Sequence, residues 1–208
     1  MKKEFLDLGR QPITNKFLSE DEFEGEFFYD LKVVFDEETK LVSIQEFVPP
    51  EMMFNEEYAY TTSLSTPMIN HFKQAAETLQ MKFTPKKVLE IGSNDGPFIS
   101  NFSKMDSVCV EPCGNFAEIT NGMGYQTYDE FWTTDLADKI KDSNGYMDLI
   151  YAANCICHIQ DLDDAFTAVK NLLKPSGVFV FEDPSLIRML ERGSYDQIYD
   201  EHAHVFSV

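Results

Sequence analysis

Four consecutive residues near the end of the chain, Tyr199-Asp200-Glu201-His202, combine a phenol, two carboxylates and an imidazole. Histidine titrates near neutral pH, and an adjacent carboxylate such as Glu201 can orient it and raise its basicity. A phenol such as Tyr199 can donate a hydrogen bond to an enolate oxygen as charge develops there. Such a group suits proton abstraction next to a carbonyl. Two other readings stand beside this one: a polar tail without chemistry, and metal binding through His202, His204 and a carboxylate, which lacks a third well-spaced ligand.

A second constellation lies upstream. Val88-Leu89-Glu90-Ile91-Gly92-Ser93-Asn94-Asp95-Gly96 reads as a strand, a turn of small residues and a helix start, spaced E-x-G-x-N-x-G. Gly92 permits a tight turn and close approach of a ligand, and Asn94 is among the few residues that tolerate positive φ. A helix beginning near Gly96 would aim its amide dipoles at the loop. No Gly-Lys-Ser/Thr follows, which excludes a phosphate-cradling P-loop. Glu111 closes the next predicted strand, 21 residues after Glu90, where an acid can accept both hydroxyls of an adenosine ribose. The loop alone also fits NAD. Its acidic start favours S-adenosylmethionine, which has no pyrophosphate to cradle, and Ser93 and Pro112 join the expected donor-binding set. A third strand ends in Asn154-Cys155-Ile156-Cys157-His158. The Asn154 carbonyl is expected to face a cationic donor and His158 to line the site. The C-x-C pair is too tight for a standard zinc pair and reads as packing.

The elements that must hold these residues follow from hydrophobic patterning. Strands are predicted at 87–91, 107–111, 124–128, 147–152 and 177–183, with helices near 97–104, 114–122, 130–141, 161–173 and 184–192. Short apolar strands alternating with helices predict a doubly wound, mostly parallel Rossmann-like sheet, whose ligands bind beyond the carboxyl ends of the strands. A helix from Thr66, capped by Thr66 with Pro67 in its first turn, precedes this region. Upstream, 27–35 and 41–48 are β-prone and flank the polar run 36–40, which predicts a hairpin ended by Pro49-Pro50. The expected organisation is a small β-rich piece over 1–64 and a larger α/β domain over 65–208.

Composition narrows the partners. The 208 residues carry 36 acids against 17 bases, a net charge of −19. Such a surface repels phosphate backbones and anionic lipid, which argues against nucleic acid or a membrane surface. The four cysteines lie amid hydrophobic segments. With no signal-peptide core at the start, a cytoplasmic chain with reduced thiols is expected.

Several short runs in order resemble the sugar C-methyltransferases of deoxysugar pathways. They are Leu8-Gly9-Arg10-Gln11-Pro12-Ile13-Thr14-Asn15, Val48-Pro49-Pro50-Glu51, Tyr58-Ala59-Tyr60-Thr61-Thr62-Ser63, the Glu90–Gly96 loop, Val110-Glu111-Pro112 with Asn115, Asn154 with His158, and Tyr199-Asp200-Glu201-His202 with Phe206-Ser207. The resemblance implies a class I methyltransferase fold and S-adenosylmethionine as methyl donor. It further implies methylation, at carbon, of a nucleotide-linked keto-sugar. Carried over, His202 would be the base, oriented by Glu201, with Tyr199 and Tyr60 steadying the enolate and Tyr58 near the sugar. Arg188 and Arg192, on the helix after the fifth strand, are the cations expected near the mouth to meet the nucleotide, with surface ion pairs as the other reading for both. Two departures accompany it. The family holds zinc with cysteines in its N-terminal piece, whereas no cysteine precedes Cys109 here, so a zinc-less hairpin is expected. The family also continues past the position of Val208 with further strands and a C-terminal domain. The strand at 177–183 is therefore expected to expose an edge: either the chain is a fragment, or a partner chain or self-association covers that edge.

Overall fold

The structure, a computed structural model, describes residues 1–207 and forms two compact units. One comprises Asn55–Ile156 and Asp161–Glu182; the other comprises Met1–Phe54, Cys157–Gln160 and the tail from Asp183.

The first unit is built on five parallel strands: β4 (Val88–Ile91), β5 (Ser107–Val110), β6 (Gln126–Tyr128), β7 (Met147–Ala153) and β8 (Leu173–Glu182). β1–β3 and β9 belong to the other unit. The strand order is β6-β5-β4-β7-β8, so the chain winds outward from β4 first on one side and then on the other. Every residue of β4 and β5 is buried, because helices cover both faces of a parallel sheet. The crossovers are α3 (Gly114–Gly122), α4 (Thr134–Asn144) and α5 (Leu162–Leu172), and α2 (Thr66–Phe83) leads into β4. Phe72, Ala76 and Leu79 of α2 pack into the core with Phe98 and Tyr151, whose rings stack at 3.7 Å. Ser65, not Thr66, caps α2: its side chain accepts from the Met68 amide. The helix expected over 97–104 shrinks to one 3-10 turn, Ile99–Asn101. Asn101 Nδ2 donates to the Pro97 and Phe98 carbonyls, competing with the helical ladder. β8 starts earlier than expected and carries Pro175, which an edge strand tolerates.

The second unit is an antiparallel sheet of order β1-β2-β3-β9. The expected hairpin is present as β2 (Phe28–Asp36) and β3 (Val42–Ile44), with Val33 opposite Ile44 and Phe35 opposite Val42. Two strands escaped the sequence reading. β1 (Lys2–Pro12) lies along β2, and β9 (His204–Val205) pairs with β3 through Val42–Val205 and Ser43–His204. The tail from Asp183 therefore falls in the unit with the first strands, and the division comes after Phe54, not at 64. A four-residue turn of helix, α1 (Pro50–Met53), ends the N-terminal segment, and α6 (Leu186–Arg192) packs Met189 against Val33, Val42 and Val205.

Candidate functional site

Beyond the carboxyl ends of β4 and β5, Gly92, Asn94 and Gly96 all take positive φ, at 70°, 47° and 84°. A Cβ added to Gly92 would lie 2.8 Å from Cys155 Sγ, so only glycine fits there. The two acids expected to meet the donor brace the loop. Glu111 accepts from the Asn94 amide at 2.7 Å with one oxygen and from the Cys113 amide at 2.9 Å with the other. Glu90 accepts from the Ile99 amide at 3.0 Å. Both acids are buried, and loss of solvation pushes both pKa values above the ordinary carboxylate range, Glu90 the more strongly. Ser93 is buried as well, and its amide donates to the Val110 carbonyl. Of the expected set, Asn154 is the exposed member; its backbone sits at φ 49° and its amide donates to the Glu182 carbonyl.

The aromatic segment is stitched onto this loop. Asn94 donates to the Tyr60 carbonyl and accepts from the Thr62 amide, both at 2.9 Å. Asp95 accepts from the Ser63 amide, and Asn115 donates to the Tyr58 carbonyl. The Tyr60 side chain is exposed, whereas the Tyr58 ring meets Phe116 edge-on. Asp95 was missed by the sequence reading. Nothing in a lone loop acid distinguishes an anchor for a segment 32 positions away from a solvated charge.

The second cluster lies in the antiparallel-sheet unit. His202 is 3% exposed. Its Nδ1 lies 2.7 Å from the Gln197 carbonyl oxygen and its Nε2 lies 3.1 Å from the Tyr199 hydroxyl. A carbonyl only accepts, so Nδ1 carries the proton and Nε2 keeps its lone pair. Burial lowers the pKa of His202 below 6.5, partly offset by the Gln197 carbonyl, so the ring is neutral at neutral pH. The expected orienting carboxylate is not the group at Nδ1: Glu201 accepts from Asn15 Nδ2. Asp200, 1% exposed, accepts from both the amide and the hydroxyl of Thr14. Thr14 and Asn15 thus lock the segment that carries His202, a role visible in the sequence only as part of an ordered motif.

His158, expected to line the donor site, has its ring stacked between Phe54 at 5.1 Å and His202 at 5.2 Å. Burial and the neighbouring His202 ring push its pKa down to about 3. Arg188, expected near a nucleotide, is exposed on α6 and pairs with Glu191 at 2.7 Å. His204 contacts the Gln160 carbonyl at 3.2 Å, outside the Tyr199–His202 pair.

Among known proteins, the chain is similar to the C-methyltransferase NovU of Streptomyces niveus, at 28% identity over 98% of this chain. It spans about half the length, 50%, of that curated relative. Its fold is similar to that of the plantazolicin methyltransferase BpumL, solved in complex with a monoazolic desmethylPZN analog and SAH. That likeness has a TM-score of 0.52 and 16% identity, covering 69% of this chain and 61% of that one. Residues 1–54 match a family model described as a zinc binding domain. The residues present do not fit zinc there, because positions 1–54 contain neither cysteine nor histidine; the first of each are Cys109 and His71. The hairpin instead closes over an apolar core of Ile13, Tyr29, Leu31, Ile44, Val48 and Met53. The parallel sheet, its order and its glycine turn lie within the 66–208 stretch that matches the family model described as a methyltransferase domain, and the chain belongs to that family.

Proposed function

We propose that the chain acts in S-adenosylmethionine-dependent methylation, at carbon, of a nucleotide-linked keto-deoxysugar, with His202 removing the proton next to the ketone. The likeness to NovU and the ordered motif set support this reading. When bound, S-adenosylmethionine supplies a methyl group on a positively charged sulfur. Gly92, Ser93, Asn94, Gly96, Pro112 and Asn154 would hold it, on the loops that follow β4, β5 and β7, where Gly92 turns at φ 70° and Asn154 is exposed.

The carrying observation is the hydrogen-bond chain Gln197–His202–Tyr199. The Gln197 carbonyl holds the proton on Nδ1, so Nε2 is the atom that accepts the substrate proton. That transfer makes an imidazolium, whose new Nε2 proton can be donated to the Tyr199 oxygen. The Tyr199 hydroxyl is then free to turn its proton toward the enolate oxygen. Tyr60 and Tyr58 are assigned to the sugar by resemblance. In His202→Asn, methyl transfer from S-adenosylmethionine to a nucleotide-linked keto-sugar is expected to fall by about 10²–10⁴-fold. Donor affinity measured by calorimetry is expected to stay the same. Unchanged transfer would overturn the base assignment.

A second reading is a donor-binding subunit or remnant that works only with another chain. One observation favours it. β8 ends the parallel sheet, paired with β7 on one side, and carries Phe179 and Phe181 stacked at 5.4 Å beside the exposed Phe166. On this second reading another copy or a separate polypeptide covers that edge. Light scattering across a concentration series tests this: growth beyond the 23.9 kDa monomer is expected. A monomer that nevertheless transfers methyl groups would contradict the second reading.

A further inference from the structure

The geometry points to a binding site for a thiophilic divalent cation of the zinc type, formed by Cys157, His158 and His202. One ligand atom from each residue lies within 4.8 Å of the others. The set is a thiol and two imidazoles, the donor chemistry that zinc and cobalt prefer over calcium or magnesium. A tetrahedral zinc holds sulfur at about 2.3 Å and nitrogen at about 2.0–2.1 Å, so closure needs a contraction on the order of 1 Å.

A second observation independently asks for a ligand. His158 Nε2 is out of contact with solvent and has no hydrogen-bond partner. A buried nitrogen left so is costly, and a cation would satisfy its lone pair. His202 is already arranged as a ligand histidine, because the Gln197 carbonyl on Nδ1 fixes the tautomer that offers Nε2. The Cys157 backbone is held in turn by its amide, which donates to Asp183 Oδ2 at 3.2 Å, and the residue is 1% exposed. Three protein ligands leave a fourth position, with the Tyr199 hydroxyl 3.1 Å from His202 Nε2.

Binding would release the Cys157 thiol proton to solvent and leave the sulfur as thiolate. It would also use the lone pair of His202 Nε2, so a bound cation and a free base are mutually exclusive states of that ring. The site stands apart from the hairpin, whose residues offer no soft ligand. It does not depend on which acceptor is methylated.

The test is titration of the full, metal-free chain with Co²⁺, followed by absorption spectroscopy. One equivalent is expected to give a sulfur-to-cobalt charge-transfer band with tetrahedral visible bands. In Cys157→Ser and His158→Asn the bands should vanish. Affinity should fall by more than the roughly 10–100-fold that losing an outer-shell partner costs. Cys155→Ser should keep both. Should the variants fail to fold, X-ray absorption of zinc-loaded wild type decides alone: one sulfur with nitrogen or oxygen neighbours is expected. A shell without sulfur, a shell with several, or bands that survive Cys157→Ser would overturn the site. Calorimetry with S-adenosylmethionine on the same samples reads the donor loop separately.

Discussion

Gly92 and Glu90 sit two positions apart and illustrate different demands of one turn. Gly92 needs both its φ of 70° and the missing Cβ, given Cys155 Sγ at 2.8 Å. Gly92→Ala is expected to lose about 1–3 kcal/mol of stability in urea unfolding and to weaken donor binding in calorimetry. Wild-type values for both would show that the turn has slack. Glu90 carries a pH dependence whose sign is fixed by burial. Its folded-state pKa is raised, so the native state binds more protons than the unfolded chain as pH climbs above about 4.5, and stability falls through that window. Glu90→Gln can still accept from the Ile99 amide and removes the charge. Its melting temperature is expected to gain on wild type as pH rises from 5 to 8. A difference that does not vary with pH would mean that the carboxyl is solvated. The sequence marked both residues correctly as special. It could not distinguish an acid that touches a ligand from one that accepts backbone amides, because both uses need a carboxylate at the end of a strand.

At the scale of elements, the tail is held by the Thr14–Asp200 and Asn15–Glu201 pairs, each spanning 186 positions. Asp200→Ala leaves the Thr14 amide and hydroxyl without their acceptor, at an expected cost of about 1–3 kcal/mol. Thr14→Val removes one donor and should cost less. Urea unfolding of the two variants checks the order, and equal or negligible losses would contradict the anchoring role. Strands β4, β5 and β7 were legible as short, mostly apolar runs, interrupted only by Glu90, Ser107 and Asp148, the signature of strands buried on both faces. β1 was not, since KKEFLDLGRQP is mostly exposed and breaks register near Glu4–Leu6 and Asp7–Arg10. β9 has two residues, too few for any period. Its pairing with β3 joins residues more than 160 apart, and no local pattern encodes that.

At the scale of the molecule, the family assignment rests on the match over residues 66–208. No helix among the described residues is long and apolar enough to cross a membrane. The charge of −19 leaves the chain poorly suited to gather a nucleoside diphosphate by long-range attraction, and Arg188 is paired with Glu191. The central claim, that His202 takes the proton next to the ketone, is tested most directly without any methyl donor. A nucleotide-linked keto-sugar is incubated with the protein in D₂O, and exchange of its α-proton is followed by NMR. Exchange is expected with wild type and is expected to be lost in His202→Asn; exchange that persists at the wild-type rate in that variant would rule His202 out as the base.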